Sequence, residues 1–350
     1  MHLHQGDPER LIDLFSLDDA DHLLTSTAIR TPQVRLARDG AVLPESTYTR
    51  GGSLAGKPLT GLVDARKLLR LFDEGATVVF QGMHRYWPPL AELVAELELE
   101  LGHPCQANAY LTPPGAQGFA VHSDSHDVFV FQTHGIKQWE VHTDGGVDQV
   151  RLEPGLSMYL PTGTPHAARA QDRASLHVTI GINQLTWRSL VRRALDDALA
   201  GIDDDHLPAG YLDDPAELVA GLGEHLAGLA DAIRTTDPAA VVGAQVQRFL
   251  TGRPTLLRGG VHDVLRSRRL DDDTPLHRRP GHPCVLVDRG ERLRVLLGDR
   301  YLDVPARLRP AMEKIRSREH LVPADLPLDE QSRLVLCRRL VREGLLEVTG

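Results

Sequence analysis

Cysteine is nearly missing from this chain of 350 residues: Cys105, Cys284 and Cys337 stand far apart and are odd in number. That excludes a disulfide framework and a cysteine-based zinc site, and leaves three buried or idle thiols of the kind a reducing cytosol maintains. Long apolar runs are missing too. No stretch approaches the ~20 residues of a membrane span, and the N-terminus shows no charged-then-apolar leader, so a cytoplasmic location is expected. Positive charge is not in surplus either. Lys and Arg number 39 against 48 Asp and Glu, a net charge of -9, which argues against a general nucleic-acid binder working through its overall field.

What the chain does hold is length enough for two or three domains, with 31 Gly and 23 Pro that suit a turn-rich β architecture. Its most informative stretch is 121–140, reading V-H-S-D-S-H-D-V-F-V-F-Q-T-H-G-I-K-Q-W-E. His122 and Asp124 are two apart, a spacing that in a strand points both side chains to one face. An apolar run over 128–131 follows, as expected of a strand covered on both sides. After a Gly turn, a second strand puts Lys137 on one face with Trp139 and Val141. A charge among core-facing residues needs a partner.

Downstream, Glu153-Pro154-Gly155 opens a strand over 156–160, and the turn Pro161-Thr162-Gly163-Thr164-Pro165 presents His166. A His-x-Asp pair alone arises by chance among 17 His, and a lone His166 reads as a surface histidine. The order of the parts is what points to a site, because a double-stranded β-helix brings such distant strand ends to one metal. His122, Asp124 and His166 then make the two-His, one-carboxylate set that holds a non-haem Fe(II) and leaves positions open for a co-substrate and O2.

Ahead of this core the sequence reads as α/β. Helices are expected over 8–15, 16–24, 64–74 and 88–101, with extended pieces at 33–38, 48–49 and 76–80. The third helix carries the stripe Ala65, Leu68, Leu69, Phe72, and the fourth stops at Gly102. His84, Arg85, Tyr86 and Trp87 read as a loop packed by its own aromatics, with the lining of a substrate entrance as the alternative. The strand 105–111 places Ala107, Ala109 and Leu111 on one face, with Asn108 and Tyr110 on the other. In 175–181, Leu176, Val178 and Ile180 alternate with Ser175, His177 and Thr179. Such polar faces look into a pocket or into water.

Residues 187–199, 215–227, 229–235 and 241–249 read as helices whose task is packing, on the barrel or across a two-fold axis. The basic stretch 253–281 reads as a solvated linker. Strands at 284–288 and 293–297, helices at 304–317 and 328–343 and a strand at 345–348 suggest a winged-helix module. Its charge over 281–350 is only about +2, so protein contact is expected ahead of direct nucleic-acid binding.

The runs N-A-Y-L-T-P-P-G-A-Q-G-F-A-V-H-S-D-S-H-D-V-F-V-F-Q, G-I-K-Q-W, E-P-G-L-S-M-Y-L-P-T-G-T-P-H and S-L-H-V-T, with H-L-P-A-G-Y at 206–211, resemble the JmjC-type ribosomal oxygenases of the cupin superfamily. The resemblance implies an α+β chain: a JmjC/cupin jelly roll over 1–185, a helical dimerisation domain over 186–255 and a winged-helix-like domain over 256–350. It implies Fe(II) on His122, Asp124 and His166, and 2-oxoglutarate as co-substrate with O2. Lys137 would meet the distal carboxylate of the co-substrate, while Asn108 and Tyr110 would help hold it. A dicarboxylate would supply the partner that an inward lysine needs.

Some members carry a hydroxyl residue where this chain has Gly181, so that contact is missing or moved to Thr179. His126 lies near the ligand pair and reads as a neighbour rather than a fourth ligand. The function that the resemblance implies is hydroxylation of a protein side chain, with a ribosomal protein as the expected substrate, by a homodimer. Two alternatives stand: hydroxylation of a peptide natural product or small metabolite, or a metal-binding scaffold that recruits a partner without turnover. Lys137 separates these classes, since a scaffold has no use for a diacid anchor.

Overall fold

The structure is a computed structural model and describes residues 1–117 and 119–349. Alternating apolar side chains build its first half. The strands there are β1 (His2–Gln5), β2 (Val34–Arg38), β3 (Ala41–Val42), β4 (Thr49–Leu54), β5 (Lys57–Val63), β6 (Thr77–Phe80) and β7 (Cys105–Thr112). They continue as β8 (Asp127–His134), β9 (Lys137–Thr143), β10 (Gly146–Leu152), β11 (Leu156–Leu160), β12 (His166–Ala170) and β13 (Ser175–Ile182). Among them lie helices α1 (Pro8–Ile12), α2 (Leu17–Ser26), α3 (Ala65–Asp73) and α4 (Pro88–Leu101).

Eight strands form one sheet in the order β1-β11-β8-β13-β7-β6-β2-β3, and β10-β9-β12 form a second. The larger sheet buries one face under the helices, where Val34, Leu36, Val78, Ala107, Ala109, Val178 and Ile180 meet Leu24, Leu68, Leu90 and Val94. A smaller core joins the two sheets through Val128, Val130, Trp139, Val141, Leu152 and Met158. This is a jelly-roll-like α+β architecture with its polar strand faces turned into the space between the sheets.

Several local expectations shift. His122 and Asp124 do not lie on a strand: His122 makes a single bridge to His166, and Asp124 sits in the loop before β8. On α3 the core takes Leu68 and Leu71, while Leu69 is exposed, so the helix is rotated from the stripe read in the sequence. Leu101, at the end of α4, is also exposed. The hairpin β4–β5 and strands β1 and β10 lacked a strong sequence signal. His84 and Arg85 lie in a short 3-10 turn, and Trp87 packs edge-on against Phe15 at 5.4 Å.

The helical segment comprises α5 (Trp187–Leu199), α6 (Ala216–Thr235) and α7 (Pro238–Phe249). The two helices expected at 215–227 and 229–235 are one, continuous through Gly228. The remainder holds α8 (Gly260–Arg266), β14 (Leu276–Arg278), β15 (Val285–Arg289), β16 (Arg292–Leu296), β17 (Tyr301–Pro305), α9 (Arg309–Ser317), β18 (His320–Leu321), α10 (Glu330–Arg342) and β19 (Leu346–Val348). Val304 belongs to β17, and the helix starts only at Arg309. Two small sheets, β18-β14-β19 and β15-β16-β17, share a core with α9 and α10.

The stretch read as a solvated linker is ordered and holds two buried ion pairs. Arg253 Nε donates to Glu98 Oε2 at 2.9 Å, and Arg279 pairs with Asp263. Glu98 Oε1 also accepts the Cys105 N–H at 2.9 Å, so the first pair ties the jelly roll to the chain beyond α7. Cys105, Cys284 and Cys337 are free and buried, and no described helix is long and apolar enough to cross a membrane.

Candidate metal centre and its cavity

A donor set forms where the loop before β8 meets the start of β12. His122 and His166 exchange backbone hydrogen bonds, His122 N–H to His166 O at 3.0 Å and His166 N–H to His122 O at 2.7 Å. Gly163 N–H donates to Asp124 O at 2.9 Å, fixing the Pro161-to-Pro165 turn to the Asp124 loop. Asp127 braces the same junction. Its Oδ1 accepts from Thr162 N–H at 2.7 Å and Thr162 Oγ1 at 2.8 Å, and Tyr159 OH donates to its other oxygen. Burial pushes this carboxyl up, but the hydrogen bonds outweigh that and hold it at about 2.

One donor atom from each of His122, Asp124 and His166 lies within 4.8 Å of the others. The tautomers suit a cation as well. His122 Nδ1 lies 2.9 Å from Ala120 O, and His166 Nδ1 lies 2.9 Å from Thr164 O. A carbonyl only accepts, so each Nδ1 carries the proton and each Nε2 offers a lone pair. Burial lowers the His166 pKa, which keeps its ring neutral and able to bind. Two imidazoles and a carboxylate on one side of an open cavity fit Fe(II) or a similar divalent ion.

The cavity over this set measures about 650 Å³. Its walls are the polar faces of β7 and β13, with Lys137, Trp139 and Ala168 opposite. Register explains the arrangement, because Tyr110 pairs with His177 and Asn108 with Thr179 across adjacent strands. Tyr110 stacks on His177, with ring centroids 4.9 Å apart. Asn108 Oδ1 accepts the Gly82 N–H at 3.0 Å, which leaves the amide NH2 as the free donor.

Lys137 is buried, donates to Thr112 Oγ1 at 3.0 Å and lies 3.4 Å from His177 Nδ1. Among the described residues no carboxylate pairs with it. Burial pulls its pKa down to about 7, and burial, Lys137 and His166 together push His177 well below the usual histidine value. His126 lines the cavity with its ring over Gly181, where a Cβ would collide with it. The space a hydroxyl residue would need at 181 is thus taken by an imidazole.

All six side chains singled out in the sequence, His122, Asp124, His166, Lys137, Asn108 and Tyr110, line this one cavity. Arg35, Phe119 and Thr112 escaped notice. Arg35 falls between Val34 and Leu36 on β2, so strict alternation alone puts it on the cavity side.

Residues 88–149 and 143–190 match the JmjC domain. The bifunctional lysine-specific demethylase and histidyl-hydroxylase NO66 of Branchiostoma floridae is 34% identical over 182 residues, covering 50% of this chain and 30% of that protein. Ribosomal oxygenase 1 of Homo sapiens is 32% identical over 229 residues, covering 57% and 34%. The chain therefore spans about a third of the length of these curated relatives. Among solved structures, the Escherichia coli ribosomal oxygenase YcfD aligns over 99% of this chain and 95% of its own, with a TM-score of 0.55 and 18% identity. A structure of YcfD in complex with cobalt and 2-oxoglutarate aligns with a TM-score of 0.52 and 19% identity, covering 97% and 91%. At that identity the likeness establishes a shared fold alone.

Proposed function

We propose, from the premise that this chain carries a JmjC domain and is a homologue of proteins named ribosomal oxygenases, that it is an Fe(II)- and 2-oxoglutarate-dependent hydroxylase of a protein side chain, with a ribosomal protein as substrate. The carrying observation is the pairing of a two-His, one-carboxylate donor set with a buried lysine that meets no carboxylate among the described residues. His122, Asp124 and His166 hold the metal, which when bound supplies the oxidative chemistry that no side chain can. Lys137 receives the distal carboxylate of the diacid in a charge-assisted hydrogen bond. Asn108 and Tyr110 add neutral donors, and Trp139, Val128 and Leu160 help keep water from the reacting atoms.

Conversion of 2-oxoglutarate to succinate with Fe(II), together with the added mass of one oxygen atom on a ribosomal protein, tests this. Absence of both sinks it. Lys137 also sets a pH dependence. Protonated lysine is needed to hold the diacid, and the free protein loses that proton above about 7. Affinity for 2-oxoglutarate should fall roughly tenfold for each pH unit above that point, until the raised pKa of the complex is reached. Stability of the free protein runs the other way. Between about 7 and the ordinary 10.5 the unfolded chain binds more protons, so stability rises with pH across that window.

The division at 185/186 and 255/256 is supported by separate apolar cores in the first and last parts. The antiparallel β15–β16–β17, which shares a core with α9 and α10, supports the winged-helix reading and a role in protein contact. Three free thiols suit the cytoplasm. Homodimerisation is supported by α5, α6 and α7, which bury none of their described residues within the chain. Trp187 is 82% exposed, Leu222 57% and Leu226 56%, and an apolar surface of this extent calls for a partner. Light scattering should give twice the chain mass, and Leu222→Glu with Leu226→Glu should halve it. A monomeric wild type would end the proposal.

A further inference from the structure

The cavity holds more positive charge than a metal and a diacid use. Its described lining includes Lys137, Arg35 and Arg85 but a single carboxylate, Asp124, which belongs to the donor set. A divalent cation, the Asp124 carboxylate, a dianionic keto acid and protonated Lys137 are together neutral. Both carboxylates of the diacid are then engaged, one at the metal and one at Lys137. Arg85 is exposed at the mouth. Arg35 is half-buried inside, and it is the full charge left over.

Its surroundings do not neutralise it. Arg35 Nε is buried without a hydrogen-bond partner. The guanidinium carbon lies 5.3 Å from the Phe119 ring centroid, and the group lies on the Tyr110 side of the cavity. A π-face and a phenol stabilise a cation weakly compared with a carboxylate. Register fixes where that charge points. Arg35 pairs with Val79, Val79 with Tyr110 and Tyr110 with His177, one row across four strands. Three strand spacings put the Arg35 and His177 backbones about 14 Å apart, so Arg35 and the His177 beside Lys137 start from opposite ends of the row. Arg35 reaches toward Phe119, whose ring lies 5.8 Å from that of His122.

We propose that the substrate segment carries a carboxylate into this cavity and that Arg35 receives it, which makes Arg35 a specificity-determining residue. The inference rests on the oxygenase reading above and adds the chemical class of substrate: an acidic segment. A cationic side chain would face Arg35 with like charge and no free carboxylate to meet it.

The test uses the full chain loaded with Mn2+ and N-oxalylglycine, an inert 2-oxoglutarate analogue, and peptides identical except for Asp, Asn or Arg at the centre of a Gly/Ala frame. Calorimetry should show the Asp peptide binding at least tenfold tighter than the other two. Arg35→Gln should erase that preference, and Arg35→Glu should turn it toward the Arg peptide, an inversion that misfolding cannot produce. Equal binding by the wild type, or a preference that survives in Arg35→Gln, overturns the proposal. Failure to bind N-oxalylglycine at all overturns the oxygenase reading itself; analogue binding with no acidic preference overturns only the role of Arg35.

Discussion

With alanine at position 166, affinity for Fe(II) or Mn2+ drops by more than about a hundredfold and 2-oxoglutarate turnover disappears. Loss of a hydrogen-bond partner behind a metal ligand costs about 10–100-fold, and removal of a ligand costs more, because two donors cannot fix the open geometry that the reaction needs. His122→Ala should behave alike. The informative contrast is His126→Ala, which removes an imidazole from the same loop. His126 is not among the residues whose donor atoms cluster, so its loss should change metal affinity by less than tenfold. Titration of the metal-free protein with Mn2+, followed by electron paramagnetic resonance, reads all three. Equal losses at 126 and 166 would mean that the donor set has been misassigned.

The second large effect is on stability. Arg253→Ala leaves Glu98 buried with no cation, and breaking a buried pair in this way costs about 3–5 kcal/mol. The side chains are 6% and 7% exposed, so solvent offers little relief. Arg253 also donates to Ala95 O, while Glu98 receives the Cys105 N–H at 2.9 Å, so the damage reaches the strand bearing Asn108 and Tyr110. Urea unfolding should show a lower midpoint. Replacing both partners, Glu98→Leu with Arg253→Met, should recover much of the loss because no unpaired charge remains. A single variant within about 1 kcal/mol of wild type would show that the pair contributes little.

Alternation made much of this site legible. Lys137, Trp139 and Val141 fall on one buried face of β9, as their spacing requires. The polar faces of β7 and β13 could be read residue by residue, and their register puts them side by side. What escaped was information held at a distance. Arg253 and Arg279 read as solvated because arginine in a Pro- and Gly-rich stretch usually is, yet their partners are Glu98, 155 residues earlier, and Asp263, 16 earlier. The rotation of α3 was ambiguous for a similar reason. Leu68, Leu69, Leu71 and Phe72 allow two neighbouring stripes on a nine-residue helix, and only the sheet beneath selects Leu68 and Leu71. His122 and Asp124 converge through a loop and one bridge, for which no period exists.

The reciprocal main-chain link between residues 122 and 166 has a bearing on how the protein would be supplied with its ion. Where side chains alone gather a cation, as in small zinc modules, emptying the site dissolves the fold. Here the amides hold the cradle, and the surrounding sheets bury their own apolar cores. On the proposed function, loading and unloading would be a matter of exchange with the cellular pool, decoupled from folding. Such a protein would persist intact through iron scarcity and resume work when the ion returns.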